Sequence, residues 1–97
     1  MLLYGHMIGT VDTRLDGLAH AVSDATRRRI IERLRVDPGA TTADLAALAP
    51  SMTRFAVMKH LDVLRRSGLV RSMDEGRRRR HYLEPAALEP LRDWLSA

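Results

Sequence analysis

The sequence has no cysteine, which excludes disulfides, thiolate metal sites and thiol nucleophiles. No uninterrupted apolar run approaches the roughly 20 residues that span a bilayer. The opening Met1-Leu2-Leu3-Tyr4-Gly5-His6-Met7-Ile8 is apolar but short, and it lacks the basic lead-in of a secretory signal. A cytoplasmic protein with no membrane role is therefore expected. Gly-rich phosphate loops, a nucleophile elbow and paired carboxylates are all missing. Ser23, Ser51, Ser67, Ser72 and Ser96 have no histidine placed to activate them, so an enzyme is not expected. No internal repeat occurs.

What is present fits one small domain. The chain has 97 residues with 45% hydrophobic and 29% charged side chains, the balance of a globular protein. We expect residues 1–10 to form a flexible N-terminal arm and residues 11–97 a single domain. A chain this short buries little surface alone, and a second copy is a common remedy.

Hydrophobic spacing predicts the order α-α-α-α-β-β-α, mainly α with a small β-hairpin. Leu15, Leu18, Ala19 and Val22 fall on one face of a first helix over residues 13–22. Ser23-Asp24 ends it and offers a cap for a second helix to Val36, with Ile30, Ile31 and Leu34 inward and Asp37-Pro38-Gly39 as its stop. Thr41 and Asp44 read as a capping box for a short third helix carrying Leu45, Leu48 and Ala49 and ended by Pro50. Thr53, or else Ser51, caps a fourth helix with Val57, Leu61 and Leu64 inward, and Gly68 closes it. Leu69–Met73 and Arg78–Leu83 read as strands around the turn residues Asp74-Glu75-Gly76. Leu88, Leu91 and Leu95 make an apolar seam near the C-terminus, with Pro90 imposing a kink or starting the last helix.

The net charge is +4, and its distribution is uneven. Residues 51–82 carry +6 and the remainder −2, the footprint of a phosphate-binding surface. Helices three and four have helix-turn-helix proportions. Burying Val57, Leu61 and Leu64 turns Phe55, Lys59, Asp62 and Arg66 outward, with Arg54 and Met58 beside them near the helix start. Arg54 and Lys59 match guanine acceptors, and Phe55 a thymine methyl. Asp62 is expected to pair with Arg66 or to accept from a cytosine. Arg77, Arg78, Arg79 and Arg80 would alternate between two faces of a hairpin that reaches the backbone or minor groove.

These segments resemble the ArsR family of bacterial winged helix-turn-helix transcriptional regulators. The resemblance rests on Ala21-Val22-Ser23-Asp24-Ala25-Thr26-Arg27-Arg28, Asp44-Leu45-Ala46, Val57-Met58-Lys59-His60-Leu61-Asp62-Val63-Leu64, Gly68-Leu69-Val70 and Glu75-Gly76-Arg77. It covers roughly Leu15 to Leu95. Ala25 departs from the family's frequent proline, at little cost to a helix start.

The resemblance implies a homodimeric repressor of a double-stranded DNA operator, released by an effector. Together with the helix and hairpin geometry above, DNA recognition is expected on Thr53, Arg54, Phe55, Met58, Lys59, Asp62 and Arg66, and wing contacts on Arg77–Arg80. Dimer contacts would come from Leu15, Leu18, Val22, Leu88, Leu91, Trp94 and Leu95. The family's metal sites do not carry over. Thr41 and Ala43 stand where one site has cysteines, and Asp93-Trp94-Leu95 lacks the histidine of the other. His6, His20, His60 and His81 show no close ligand spacing; His60 reads as a packing or phosphate-contact residue and His81 as a solvated or DNA-side one. No metal or cofactor is expected, and the small-molecule effector has no signature. The alternative is a winged-helix protein-interaction module that binds DNA only non-specifically.

Overall fold

The computed structural model describes residues 13–97, so the expected arm lies outside the described residues. The described order is the one that hydrophobic spacing predicts. Helix α1 covers residues 13–22, followed by α2 (Ala25–Val36), α3 (Thr42–Ala46) and α4 (Arg54–Arg66). An antiparallel hairpin, β1 (Val70–Glu75) and β2 (Arg78–Leu83), precedes a 3-10 turn at Pro85–Leu88 and α5 (Glu89–Ser96).

The starts follow the expected side-chain chemistry. Asp24 accepts from the Arg27 N–H at 3.0 Å, and Thr53 from the Ala56 N–H at 3.1 Å. Thr41 and Asp44 form the full capping box. The ends differ in one place. Helix α3 stops at Ala46, because Leu48 and Ala49 bond back only three residues, to Leu45 and Ala46. Pro50 supplies no N–H to extend the ladder. Pro90 lies in the first turn of α5, where its missing donor costs nothing.

The core gathers Leu18 and Ala21 of α1, Ile30, Ile31 and Leu34 of α2, Leu45 of α3, and Val57, Leu61 and Leu64 of α4, with Leu69 and Val70 at the hairpin base. Two expectations for α1 change. Ala19 is exposed while Ala21 is fully buried. The helix is thus rotated so that Leu18 and Ala21 face inward and Leu15 and Val22 sit half-buried at the margin.

The hairpin is longer than expected. Asp74 and Glu75 belong to β1, opposite Arg79 and Arg78. Gly76, at φ +61°, opens a two-residue turn that a side chain would strain. A third short segment joins the sheet: the Gly39 N–H donates to the His81 carbonyl at 2.8 Å, and the His81 N–H to the Ala40 carbonyl at 3.0 Å. The segment leading into α3 is thereby hinged to β2 by two backbone hydrogen bonds and the Thr41–Arg80 bridge.

Candidate nucleic-acid interface

The first half of α4 carries the exposed side chains. Turning Val57, Leu61 and Leu64 inward leaves Arg54, Phe55, Met58 and Lys59 exposed. Phe55 and Met58 are 66% and 50% exposed, which nothing in the described core requires and which marks a contact surface. The Lys59 ammonium lies 4.9 Å from the centre of the Phe55 ring, a cation–π contact along the outer helix face.

Arg54 and Met58 also line one wall of a cleft of about 430 Å³. Arg77–Arg80 of the hairpin and Thr41, Thr42 and Asp44 also line it. The Thr41 N–H and hydroxyl hold the Asp44 carboxyl below the usual carboxylate range, so that acid stays charged and committed to its cap.

The four arginines are not equivalent. Arg77 lies in the turn. Arg78 and Arg80 share one strand face and Arg79 takes the other, as their cross-strand register requires. Arg79 pairs with Asp74 at 3.7 Å. Arg80 pairs with Glu75 at 3.0 Å and donates to the Gly39 carbonyl at 3.0 Å, tying the hairpin to the segment before α3. Among the described residues, Arg54, Arg77 and Arg78 are in no ion pair.

The C-terminal half of α4 is different. Asp62 pairs with Arg65, one turn on, rather than with Arg66. Arg66 lies apart from the cleft, in a hollow against Arg14, Gly17 and Leu18 of α1 and Ala87 and Pro90. The structure therefore brings Arg54, Met58 and the wing arginines together, sets Phe55 and Lys59 on the adjoining helix face, and leaves Arg66 outside.

The expected dimer residues also separate. Trp94 and Leu95 are exposed. Val22, Leu88 and Leu91 pack partly on the core. Leu18 is 4% exposed and used up inside the monomer.

Two buried polar centres went unread in the sequence. Arg27 is 7% exposed. Its Nε donates to the Ala21 carbonyl and its Nη2 to the His20 carbonyl, both at 2.8 Å, and its Nη1 to His60 Nδ1 at 3.0 Å. One guanidinium thus caps α1 and touches α4. The signal was there: Arg27 occupies the i position of the stripe completed by Ile30, Ile31 and Leu34. His60 has the packing role expected of it.

His81 is fully buried rather than solvated. It faces Ser72 across the ladder and shares an inward face with Leu83, a placement that strand alternation from Leu83 implies. Burial first, then the nearby charges of Arg65 and Arg79, push it down to about 4.

A helix-turn-helix with an arginine-bearing hairpin beside its second helix is the winged arrangement, and the comparisons agree. The family model described as a helix-turn-helix domain matches residues 22–72. A crystal structure of an ArsR family transcriptional regulator superposes with a TM-score of 0.81 at 33% identity, covering 88% of this chain and 86% of that one. The chain belongs to the ArsR family of winged helix-turn-helix transcriptional regulators. A second ArsR-like regulator, from Rhodococcus sp. RHA1, superposes at 0.75 with 34% identity over 92% of this chain and 79% of that one. The HTH-type transcriptional regulator Rv2034 of Mycobacterium tuberculosis is 43% identical over 72 residues, which is 74% of this chain. The chain spans 65% of that relative's length.

No group of three or more histidine, cysteine or acidic side chains that could hold a metal ion occurs among the described residues. No helix among them is long and apolar enough to cross a membrane.

Proposed function

We propose that this protein is a cytoplasmic, homodimeric repressor that binds a specific double-stranded DNA operator. The observation that carries the reading is the shared cleft of Arg54, Arg77 and Arg78. These cations lack carboxylate partners among the described residues, and DNA supplies acceptors for them, guanine edges for Arg54 and phosphates for Arg77 and Arg78.

Roles follow from placement. The start of α4 enters the major groove, where Arg54 and Lys59 reach guanine O6 and N7 and Phe55 and Met58 meet thymine methyls. Thr53, which caps this helix, sets its entry. Arg77 and Arg78 clamp phosphates, while Arg79 and Arg80 brace the wing. Asp62 keeps to its arginine partner and reads no base. Trp94 and Leu95, with Leu15, Val22, Leu88 and Leu91 at their margins, form the dimer seam. The effector that releases DNA is a non-metal one.

Selection of preferred sites from random duplexes tests this reading. A selected site should bind at least about 10³-fold tighter than random DNA. Equal affinity for both would favour an interaction module that binds DNA only non-specifically.

A further inference from the structure

His81 combines features that packing alone does not call for. Its ring is fully buried, yet both ring nitrogens are used. Nε2 meets the Thr42 hydroxyl at 2.8 Å and Nδ1 the Ser72 hydroxyl at 2.7 Å. Thr42 is the first residue of α3, the helix that precedes the α4 entry turn. Ser72 lies in the wing strand β1. His81 itself sits in wing strand β2, opposite Ser72, so Ser72 holds the ring within the hairpin and Thr42 ties it across to α3; α3 and the wing both line the cationic cleft.

The chemistry suits a fixed bridge. A neutral imidazole has one donor and one acceptor, and a hydroxyl serves as either, so both contacts are met without charge. Buried as it is between Arg65 and Arg79, the ring stays neutral under ordinary conditions. A leucine would fill this space without any angular preference. Two hydrogen bonds in a water-poor site impose one arrangement.

We propose that His81 is a positioning residue for DNA binding, which fixes the angle of the wing to the helix-turn-helix through Thr42 and Ser72. Arg77 and Arg78 on the wing then meet the phosphates beside the groove that the Arg54 end of α4 enters. This rests on the DNA-binding reading above. Loss of the Thr42 hydroxyl frees the wing to rock about the Gly39–His81 stitch, loss of the Ser72 hydroxyl lets the ring turn out of line with Thr42, and in both cases the wing cations lose their simultaneous contacts.

The test is the salt dependence of binding to a labelled duplex of mixed sequence, from about 50 to 200 mM salt. The wild type is compared with Thr42→Val, Ser72→Ala and Thr42→Ser, each checked for a folded circular dichroism spectrum and a cooperative thermal transition. Folded Thr42→Val and Ser72→Ala should each show a log–log slope shallower by about one unit, the loss of about one phosphate contact. Their affinity at the low-salt end should fall several-fold. Thr42→Ser, which keeps the hydroxyl, should hold the wild-type slope. Wild-type slopes in the folded Val and Ala variants, with only a lowered melting temperature, would overturn the proposal and leave His81 a core residue. A wild type with no salt-dependent DNA binding would overturn the DNA-binding reading, and this proposal with it.

Discussion

Replacing Arg27 by methionine keeps an aliphatic stem of similar reach and removes the guanidinium. Three contacts disappear. The Ala21 carbonyl, in the buried last turn of α1, loses its side-chain donor, at about 1–3 kcal/mol for an unmet buried acceptor. The His20 carbonyl keeps the Ser23 hydroxyl at 2.7 Å, so it adds little. His60 Nδ1 loses a charge-assisted bond, about 1.5–3 kcal/mol. Relief from burying a cation offsets part of the sum. The net expectation is a loss of about 2 kcal/mol, or about 30-fold in the folded-to-unfolded ratio. Urea denaturation followed by circular dichroism, at one fixed protein concentration, measures it. Arg27→Lys should recover less than half, because an ammonium cannot fork to three acceptors in this geometry. A methionine variant within about 0.5 kcal/mol of the wild type would show that α1 is not held by this residue.

Leu61→Ala, at 2% exposure in the core, should cost about 2–5 kcal/mol by the same assay; a change under 1 kcal/mol would mean that α4 does not pack as described. His81 is lowered from 6.5 to about 4, so the folded state holds fewer protons than the unfolded chain between those values. Stability should be full above about pH 6.5 and fall by about 3 kcal/mol as pH drops through about 4, a component absent from His81→Leu. Leu95→Asp with Trp94→Ala, at 71% and 63% exposure, should give a monomer by light scattering, whereas an unchanged mass at twice the monomer would move the dimer seam elsewhere.

Much of the fold was legible because local chemistry and burial agree. The caps at Asp24, Thr41 and Thr53, the stripe Val57, Leu61 and Leu64, and the stop at Gly68 each follow from side-chain type and spacing. The end of α3 was less legible: Pro50 limits the helix, but the chain tightens several residues earlier. The site was only partly readable. Period and charge pointed to Arg54, Phe55, Met58 and Lys59. Which arginines are free depended on the hairpin register, which sets Asp74 against Arg79 and leaves Arg78 unpaired despite Glu75 opposite it. Arg66 sits at the far end of a helix whose start alone reaches the cleft. Period alone turns Arg27 and His81 inward, but what each does there depends on distant partners, His60 in one case and Thr42 in the other.

The division of labour between α4 and the wing is tested most directly by measuring two variants on two DNAs over one salt series. Arg54→Ala should lose about 1–3 kcal/mol on the selected operator and much less on random duplex. Arg77→Ala with Arg78→Ala should weaken both DNAs by similar factors. Its log–log salt slope should be flatter by about 1.8, so between about 50 and 200 mM the wild type would lose about 12-fold more affinity than the variant. A wing variant that lost only specific binding, or an Arg54→Ala protein that lost both equally, would contradict the account.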